Sequence, residues 1–278
     1  MDTPRLSPGL YIVATPIGNL GDVTRRAVET LAGCAIIACE DTRVTGRLLN
    51  LLGLNKVMRR YDDHAGDDAR ERLLDEMGEK PVALVSDAGT PLISDPGYKL
   101  VRAARERGIA VTSLPGPSAL VTALTLAGLP TDRFLFAGFL PAKDKARGDV
   151  LREMAAIPVT LVFYDTGPRL VASLEAMAEA MPGREIAVAR ELTKLHEECR
   201  TGSAGELAAY YAEHPPRGEI VLLAGPPAAP AAPDEDVIEA ELRAALIELS
   251  PSQAAGKVAK AHGLDRKALY ARVMAMKE

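Results

Sequence analysis

Val82-Ala83-Leu84-Val85-Ser86-Asp87-Ala88-Gly89-Thr90-Pro91-Leu92-Ile93-Ser94-Asp95-Pro96-Gly97 is the stretch on which the reading of this chain turns. The apolar run bounded by Pro81 and Gly89 reads as a buried strand, and Pro96-Gly97 followed by Tyr98, Val101 and Ala104 reads as a helix start. Ser86 to Gly97 is then a strand-to-helix loop carrying two carboxylates, hydroxyls and two glycines. In open α/β sheets the loops at the carboxyl ends of strands line the ligand crevice. Such a loop approaches a ligand with backbone as well as side chains; the plainer reading is a polar turn with helix-capping groups.

Strands and helices alternate on both sides of that loop. Upstream, Leu10 to Thr15 reads as a strand, Pro16 to Asp22 as a turn, and Val23 to Ala32 as a helix with Asp22 as N-cap and Gly33 as its stop. A strand over Ala35 to Cys39 leads through Glu40-Asp41-Thr42-Arg43 into a leucine-rich helix ending at Gly53; Val57 to Tyr61 and Asp67 to Met77 repeat the pattern around a loop at Asp62 to Gly66. Downstream come a helix over Tyr98 to Arg107, a strand over Ile109 to Leu114, the loop Pro115-Gly116-Pro117-Ser118-Ala119, and a helix through Ala127. The alternation predicts a parallel α/β lobe over residues 1–130.

A second α/β lobe, residues 131–226, has strands at Phe134 to Phe139, Val159 to Tyr164, Glu185 to Leu192 and Glu219 to Ala224, with the sheet order left open. Helices over Arg169 to Met181 and Ala204 to Ala212 lie between them, and Leu140 to Gly148 reads as a basic loop. Residues 227–234 form a Pro/Ala linker that favours extended chain, and residues 235–278 a helical tail. Asp234 to Leu249 holds six acids and one base, whereas Ser250 to Glu278 holds six bases and two acids, so the charge changes sign within the tail. Ser250 to His262, Gly263, and Leu264 to Lys277 have helix-turn-helix spacing, which serves plain packing pairs as well as nucleic-acid readers.

A net charge of −5 gives no global basic field, so any nucleic-acid contact must come from local patches. Three cysteines without metal spacing, Cys34 and Cys39 expected on opposite faces of one strand, point to no metal. The N-terminus lacks a signal-like apolar region and no run is long enough to span a bilayer, so a cytoplasmic protein with no membrane role is expected. Gly18 and Gly21 give only G-x-x-G, with Pro16 where a dinucleotide-binding turn begins with glycine. P-loop, H-E-x-x-H and G-x-S-x-G patterns are absent as well. His64 reads as a surface loop residue.

Ala14 to Asp22, Glu40-Asp41-Thr42-Arg43, Ser86 to Gly97, Pro115 to Ala119 and Gly138-Phe139-Leu140-Pro141, in one collinear order over about residues 9 to 226, resemble the tetrapyrrole-methylase superfamily, in particular its branch acting on ribosomal RNA. That resemblance implies S-adenosylmethionine as methyl donor, bound in a cleft between two α/β lobes, and a homodimer. The acceptor it implies is the 2′-hydroxyl of a cytidine in the decoding region of 16S rRNA, within the small ribosomal subunit. C-methylation of a tetrapyrrole precursor is the alternative; a donor-binding module without turnover and a nucleotide-dependent oxidoreductase are more distant ones. Asp165-Thr166-Gly167-Pro168-Arg169 departs from the Ser-Pro-His-Arg-like turn the resemblance leads one to expect.

A cleft for this donor needs backbone groups, a few carboxylates and an apolar slot. Asp87, Gly89, Thr90, Ile93, Ser94 and Asp95 from the central loop, Pro16 and Gly18 from the first turn, and Ser118 and Ala119 are expected to supply the first wall. Tyr164, Leu192, Leu223 and Ala224 are expected to close over the adenine from the second lobe, with ordinary core packing as the plainer reading of the last three. Methyl transfer to a weakly acidic hydroxyl needs a proton acceptor or stabilisation of developing charge; Glu40, Asp41, Arg43 and Lys143 are the candidates. RNA contact falls to Arg25, Arg26, Arg43, Arg47, Lys143, Lys145, Arg147 and, in the tail, Lys257, Lys260, Arg266 and Lys267. With no Trp, four Phe and seven Tyr, a structured RNA suits the chain better than a long stacked single strand.

Overall fold

The structure, a computed structural model, describes residues 6–62, 67–228 and 235–276. His64 and most of the Pro/Ala linker lie outside the described residues. The body, Met1–Pro227, and the tail, Ala228–Glu278, are separate compact units and are taken in turn.

The first half of the body alternates β1 (Gly9–Val13), α1 (Arg25–Gly33), β2 (Ile36–Cys39), α2 (Thr42–Leu51), β3 (Val57–Arg60), α3 (Asp67–Glu79), β4 (Pro81–Val85), α4 (Tyr98–Glu106), β5 (Val111–Leu114) and α5 (Ala119–Leu126). Its five strands form one parallel sheet in the order β3-β2-β4-β1-β5. A central strand of a parallel sheet is covered on both faces and loses the apolar-polar alternation of a half-exposed one. In β4, Val82 and Leu84 accordingly enter one cluster with Leu73, Leu74, Met77, Leu100 and Ala104 of α3 and α4. Ala83 and Val85 enter the other, with Ala27 and Leu31 of α1 and Leu49 of α2. Cys34 and Cys39 lie together in that second cluster and not on opposite faces, because Cys34 closes α1 before the strand begins. The N-cap of α1 is Thr24, whose hydroxyl accepts the Ala27 N–H at 3.0 Å, and not Asp22, which belongs to a preceding single turn.

The second half runs β6 (Phe134–Phe139), α6 (Asp144–Met154), β7 (Thr160–Thr166), α7 (Leu170–Ala180), β8 (Glu185–Arg190), β9 (Glu198–Ser203), α8 (Ala204–Glu213) and β10 (Glu219–Ala224). The sheet order is β6-β7-β10-β8-β9; only β6 and β7 are parallel, and β10 runs antiparallel to both of its neighbours. Strand β9 was not expected, and the expected basic loop after Leu140 is largely the helix α6. Helix α5 follows the last strand of the first sheet yet packs on the second, through Leu120, Ala123 and Leu124 against Val162, Ala189, Val221 and Leu223.

In the tail, α9 (Glu235–Glu248), α10 (Pro251–His262) and α11 (Arg266–Ala275) bury Ile238, Leu242, Ala255, Val258, Leu269 and Val273. A capping box of Ser250 and Gln253 starts α10, and Gly263 at φ 67° makes the left-handed turn into α11. Lys257, Lys260, Arg266 and Lys267 are exposed. Among the described residues no helix is long and apolar enough to cross a membrane.

Candidate active site

Three loops at the carboxyl ends of β1, β4 and β5 are stitched together by short-range polar contacts. Thr15 and Gly89 exchange both backbone hydrogen bonds, at 2.9 and 3.0 Å, and the Thr15 hydroxyl donates to Ser86 O at 3.2 Å. Thr90 Oγ1 donates to Pro117 O at 2.9 Å. Gly89 sits at φ 80°, and a Cβ there would lie 3.3 Å from Ile17, so the residue serves both the backbone turn and the close approach.

The cleft between the two sheets spans about 920 Å³, the solvent at its open mouth included. Asp87, Gly89, Thr90, Ile93, Ser94, Asp95, Ser118 and Ala119 line one wall, and Tyr164 and Leu192 line the other. Leu223 and Ala224 do not reach it; both are fully buried in the core. The reason is strand direction. Because β10 is antiparallel, its first residues Glu219, Ile220 and Val221 lie beside the carboxyl ends of β7 and β8 and take the places expected for its last ones. Pro16 and Gly18 also lie outside the lining. A Cβ on Gly18 would meet the Lys194 side chain at 2.6 Å, so this glycine makes room for the opposite wall.

Asp165, Glu191 and Lys194 line the cleft and were missed. Glu191 and Thr193 sit at φ 50° and 66° in a turn without glycine, which left no turn signal and made Glu185 to Leu192 look like one strand. Lys194 Nζ donates to Glu191 Oε1 at 3.0 Å. Among the described residues, four non-glycines have left-handed φ, Leu92 and Ser94 on one loop and Glu191 and Thr193 on another, and of these Ser94 and Glu191 line the cleft. Such backbone strain persists only where the surroundings impose it, and it concentrates at functional sites. Tyr164 sets the apolar side of the cleft, its ring edge-on to Phe136 and Phe139 at centroid distances of 4.8 and 5.4 Å.

The cleft is acidic: among the described residues Lys194 is its one lining cation, and Glu191 already holds it. Burial pushes the Asp95 carboxyl up to about 6, with repulsion from Glu40, Asp87 and Glu219 in the same direction and a hydrogen bond from Ser86 against it. Burial also raises Glu40, again helped by Asp87 and Asp62 and opposed by Arg60. Asp95 holds its proton more tightly in the folded chain, so its contribution to stability is fully present below about pH 4 and lost as pH rises through about 6. A bound cation reverses the balance. Affinity for a cationic ligand is expected to rise up to about tenfold between about pH 5 and 7. Asp95→Asn should flatten that profile while raising the apo unfolding temperature at neutral pH; calorimetry and thermal scans across the range check both.

A second hollow adjoins the cleft through Asp87 and is lined by Glu40, Asp41, Thr42, Arg43 and Arg60. Asp41 caps α2 and holds Arg43, whose Nη2 lies 2.6 Å from Asp41 Oδ2 and whose Nε contacts both carboxylate oxygens. These bonds hold the Asp41 carboxyl well below its usual range. Asp41 N donates to Asp87 Oδ1 at 3.3 Å. Glu40, Asp41 and Arg43 are thus gathered beside the cleft, while Lys143 is an exposed residue at the start of α6 and lines neither space. Arg147 is not a surface cation: it is 3% exposed, donates to Pro141 O and Ala142 O, and pairs with Asp144 at 2.5 Å. Arg25, Arg26, Arg47 and Lys145 are exposed. Among the described residues no group of His, Cys, Asp and Glu converges as metal ligands.

Residues 9–208 match the family model described as Tetrapyrrole (Corrin/Porphyrin) Methylases, and residues 231–277 match the RsmI C-terminal HTH domain. The chain is 62% identical over 272 residues to "Ribosomal RNA small subunit methyltransferase I" of Erythrobacter litoralis, covering 98% of this chain and 96% of that one. It is 49% identical over 276 residues to the protein of the same name from Mesorhizobium japonicum, covering 98% and 94%. The body is similar to the crystal structure of uroporphyrin-III C-methyltransferase from Thermus thermophilus complexed with S-adenyl homocysteine. The TM-score is 0.54 at 19% identity, over 78% of this chain and 97% of that one.

Proposed function

The chain belongs to the tetrapyrrole methylase family, on the branch of the ribosomal RNA small subunit methyltransferase I relatives, and from that premise we propose that it methylates 16S rRNA with S-adenosylmethionine. The acceptor in this reading is the 2′-hydroxyl of a cytidine in the decoding region. The observation that carries the donor assignment is the acidic cleft with its two strained loops, whose chemistry fits a ligand with a sulfonium, an ammonium, a ribose diol and a flat base. The Thermus thermophilus methyltransferase is complexed with S-adenyl homocysteine, the demethylated product of that donor, which supports the same ligand class.

When bound, the donor supplies an electrophilic methyl group on a positively charged sulfur. Asp87 and Asp95 place negative charge along the wall where that cation lies. Tyr164 and Leu192 present apolar surface to the adenine. Displacement at the methyl carbon is in-line, so the stitched loops at Thr15, Gly89, Thr90 and Pro117 contribute by holding donor and acceptor at a fixed angle. Glu40 takes the hydroxyl proton in this reading, since burial and neighbouring carboxylates make it the more basic acid of the adjoining hollow. The tetrapyrrole alternative is not favoured: relatives 62% and 49% identical over almost the whole chain carry the rRNA name, whereas the likeness to the porphyrin methylase is one of fold.

The test is transfer of labelled methyl to small subunits isolated without the modification, with naked 16S rRNA and a tetrapyrrole precursor in parallel, followed by nucleoside mass spectrometry. Label in 2′-O-methylcytidine is the expected result. Label on a base, or only in the tetrapyrrole, would overturn the acceptor assignment.

A further inference from the structure

The hollow beside the donor cleft holds a residue to which the methyl transfer itself gives no task. Arg60 ends β3, the edge strand of the first sheet, and its side chain is 75% exposed. Its ion pair with Asp62 is long, at 3.6 Å. Arg43, the other cation of the hollow, is committed to Asp41 through both Nε and Nη2. The hollow therefore has a loosely held guanidinium on its rim and carboxylates, Glu40 and Asp87, within it. A polyanion or free phosphate would meet those acids unfavourably, and a purely basic ligand would meet Arg60. A sugar-phosphate unit satisfies both, because the phosphodiester is a monoanion that matches the planar guanidinium and the ribose hydroxyls donate to carboxylates.

We propose that this hollow is the acceptor subsite, and that Arg60 grips the phosphodiester next to the target ribose. The inference rests on the rRNA reading of the cleft. Asp87 belongs to both spaces, so a ribose seated here is delivered to the donor's side and to Glu40. Strand β3 is the outermost strand of its sheet, and Val57, Arg59 and Arg60 on it are exposed. Arg60 is a binding residue in this scheme; it touches no reacting atom, and its charge bears on the proton step only by opposing the rise of the Glu40 carboxyl.

The experiment compares the full chain with Arg60→Gln and Arg60→Lys on small subunits lacking the modification, over a range of salt. Arg60→Gln should raise the KM for subunits about tenfold with kcat within about twofold of the wild type. It should also lower the slope of log kcat/KM against log salt by about one, the signature of one lost phosphate contact. Arg60→Lys should restore most of the salt slope and part of the KM. Donor affinity by calorimetry should be the same in all three. An unchanged KM and salt slope in Arg60→Gln would overturn the subsite, as would donor affinity falling in step with the subunit KM. Wild-type enzyme that transfers nothing to the subunit would instead overturn the rRNA reading, and the subsite with it.

Discussion

Asp87→Ala should weaken S-adenosylmethionine binding by about a hundredfold or more, about 2.7 kcal/mol. Asp87 is the one residue common to the cleft and the adjoining hollow. It accepts the Asp41 backbone N–H at 3.3 Å, and its charge helps to raise both Glu40 and Asp95. Alanine at this position therefore removes an anion facing the donor and also lets its two neighbours ionise more readily. The second effect partly offsets the first near pH 6, where Asp95 titrates, and has little left to add above neutral pH, so the loss should be largest above about pH 7. Asp87→Asn keeps an acceptor for Asp41 and separates charge from shape. Calorimetry with the donor and with its demethylated, uncharged-sulfur product reads the outcome, and Asp87 is exposed enough that the unfolding temperature should stay within about 2 °C. A change in affinity below about threefold would remove Asp87 from the site.

Arg184→Ala should cost about 4 kcal/mol of stability, measured by denaturant unfolding. Arg184 is 3% exposed, and burial pushes its guanidinium down from the usual arginine value. Its two terminal nitrogens donate to four carbonyls, Val159 at 3.3 Å, Gly225 at 2.9 Å, Ala155 at 2.8 Å and Ile157 at 2.6 Å. One planar fork thus ties the turn after α6, the entry to β7 and the exit from β10. Truncation leaves those carbonyls short of donors in a space that water refills only in part. Arg184→Lys should recover less than half of the loss, because a single ammonium on a flexible stem cannot span the four acceptors. A loss under about 1 kcal/mol would mean that the carbonyls find water freely.

The parallel first sheet and its loops were legible because their signals are local: β-branched runs, glycines at turns and carboxylates at strand ends. Thr90, Ser118 and Asp95 could be placed from that alone. The second wall was less legible for reasons of direction and packing. Leu223 and Ala224 would face the cleft if β10 were parallel to β7; nothing in Glu219 to Ala224 encodes which neighbour it pairs with or which way it runs. Arg147 looks solvated in sequence because it stands among Lys143, Asp144 and Lys145, yet its burial follows from the carbonyls of Pro141 and Ala142 turning toward it. Glu191 to Lys194 hid for the opposite reason, a left-handed turn made by residues that seldom make one. Arg60 had no motif at all, and only the edge position of β3 beside Glu40 gives it meaning.

Strand β10 is also the last strand of the body to leave the ribosome. The loops of the first wall are complete once Ala119 has been made, but Glu219 to Val221 of the opposite wall follow about a hundred residues later. At about 5–20 residues per second that is a delay of about 5–20 s. Through that interval the nascent chain has one wall of the cleft without the other. A product that terminates before Glu219 lacks three residues of the second wall and is expected to bind no S-adenosylmethionine.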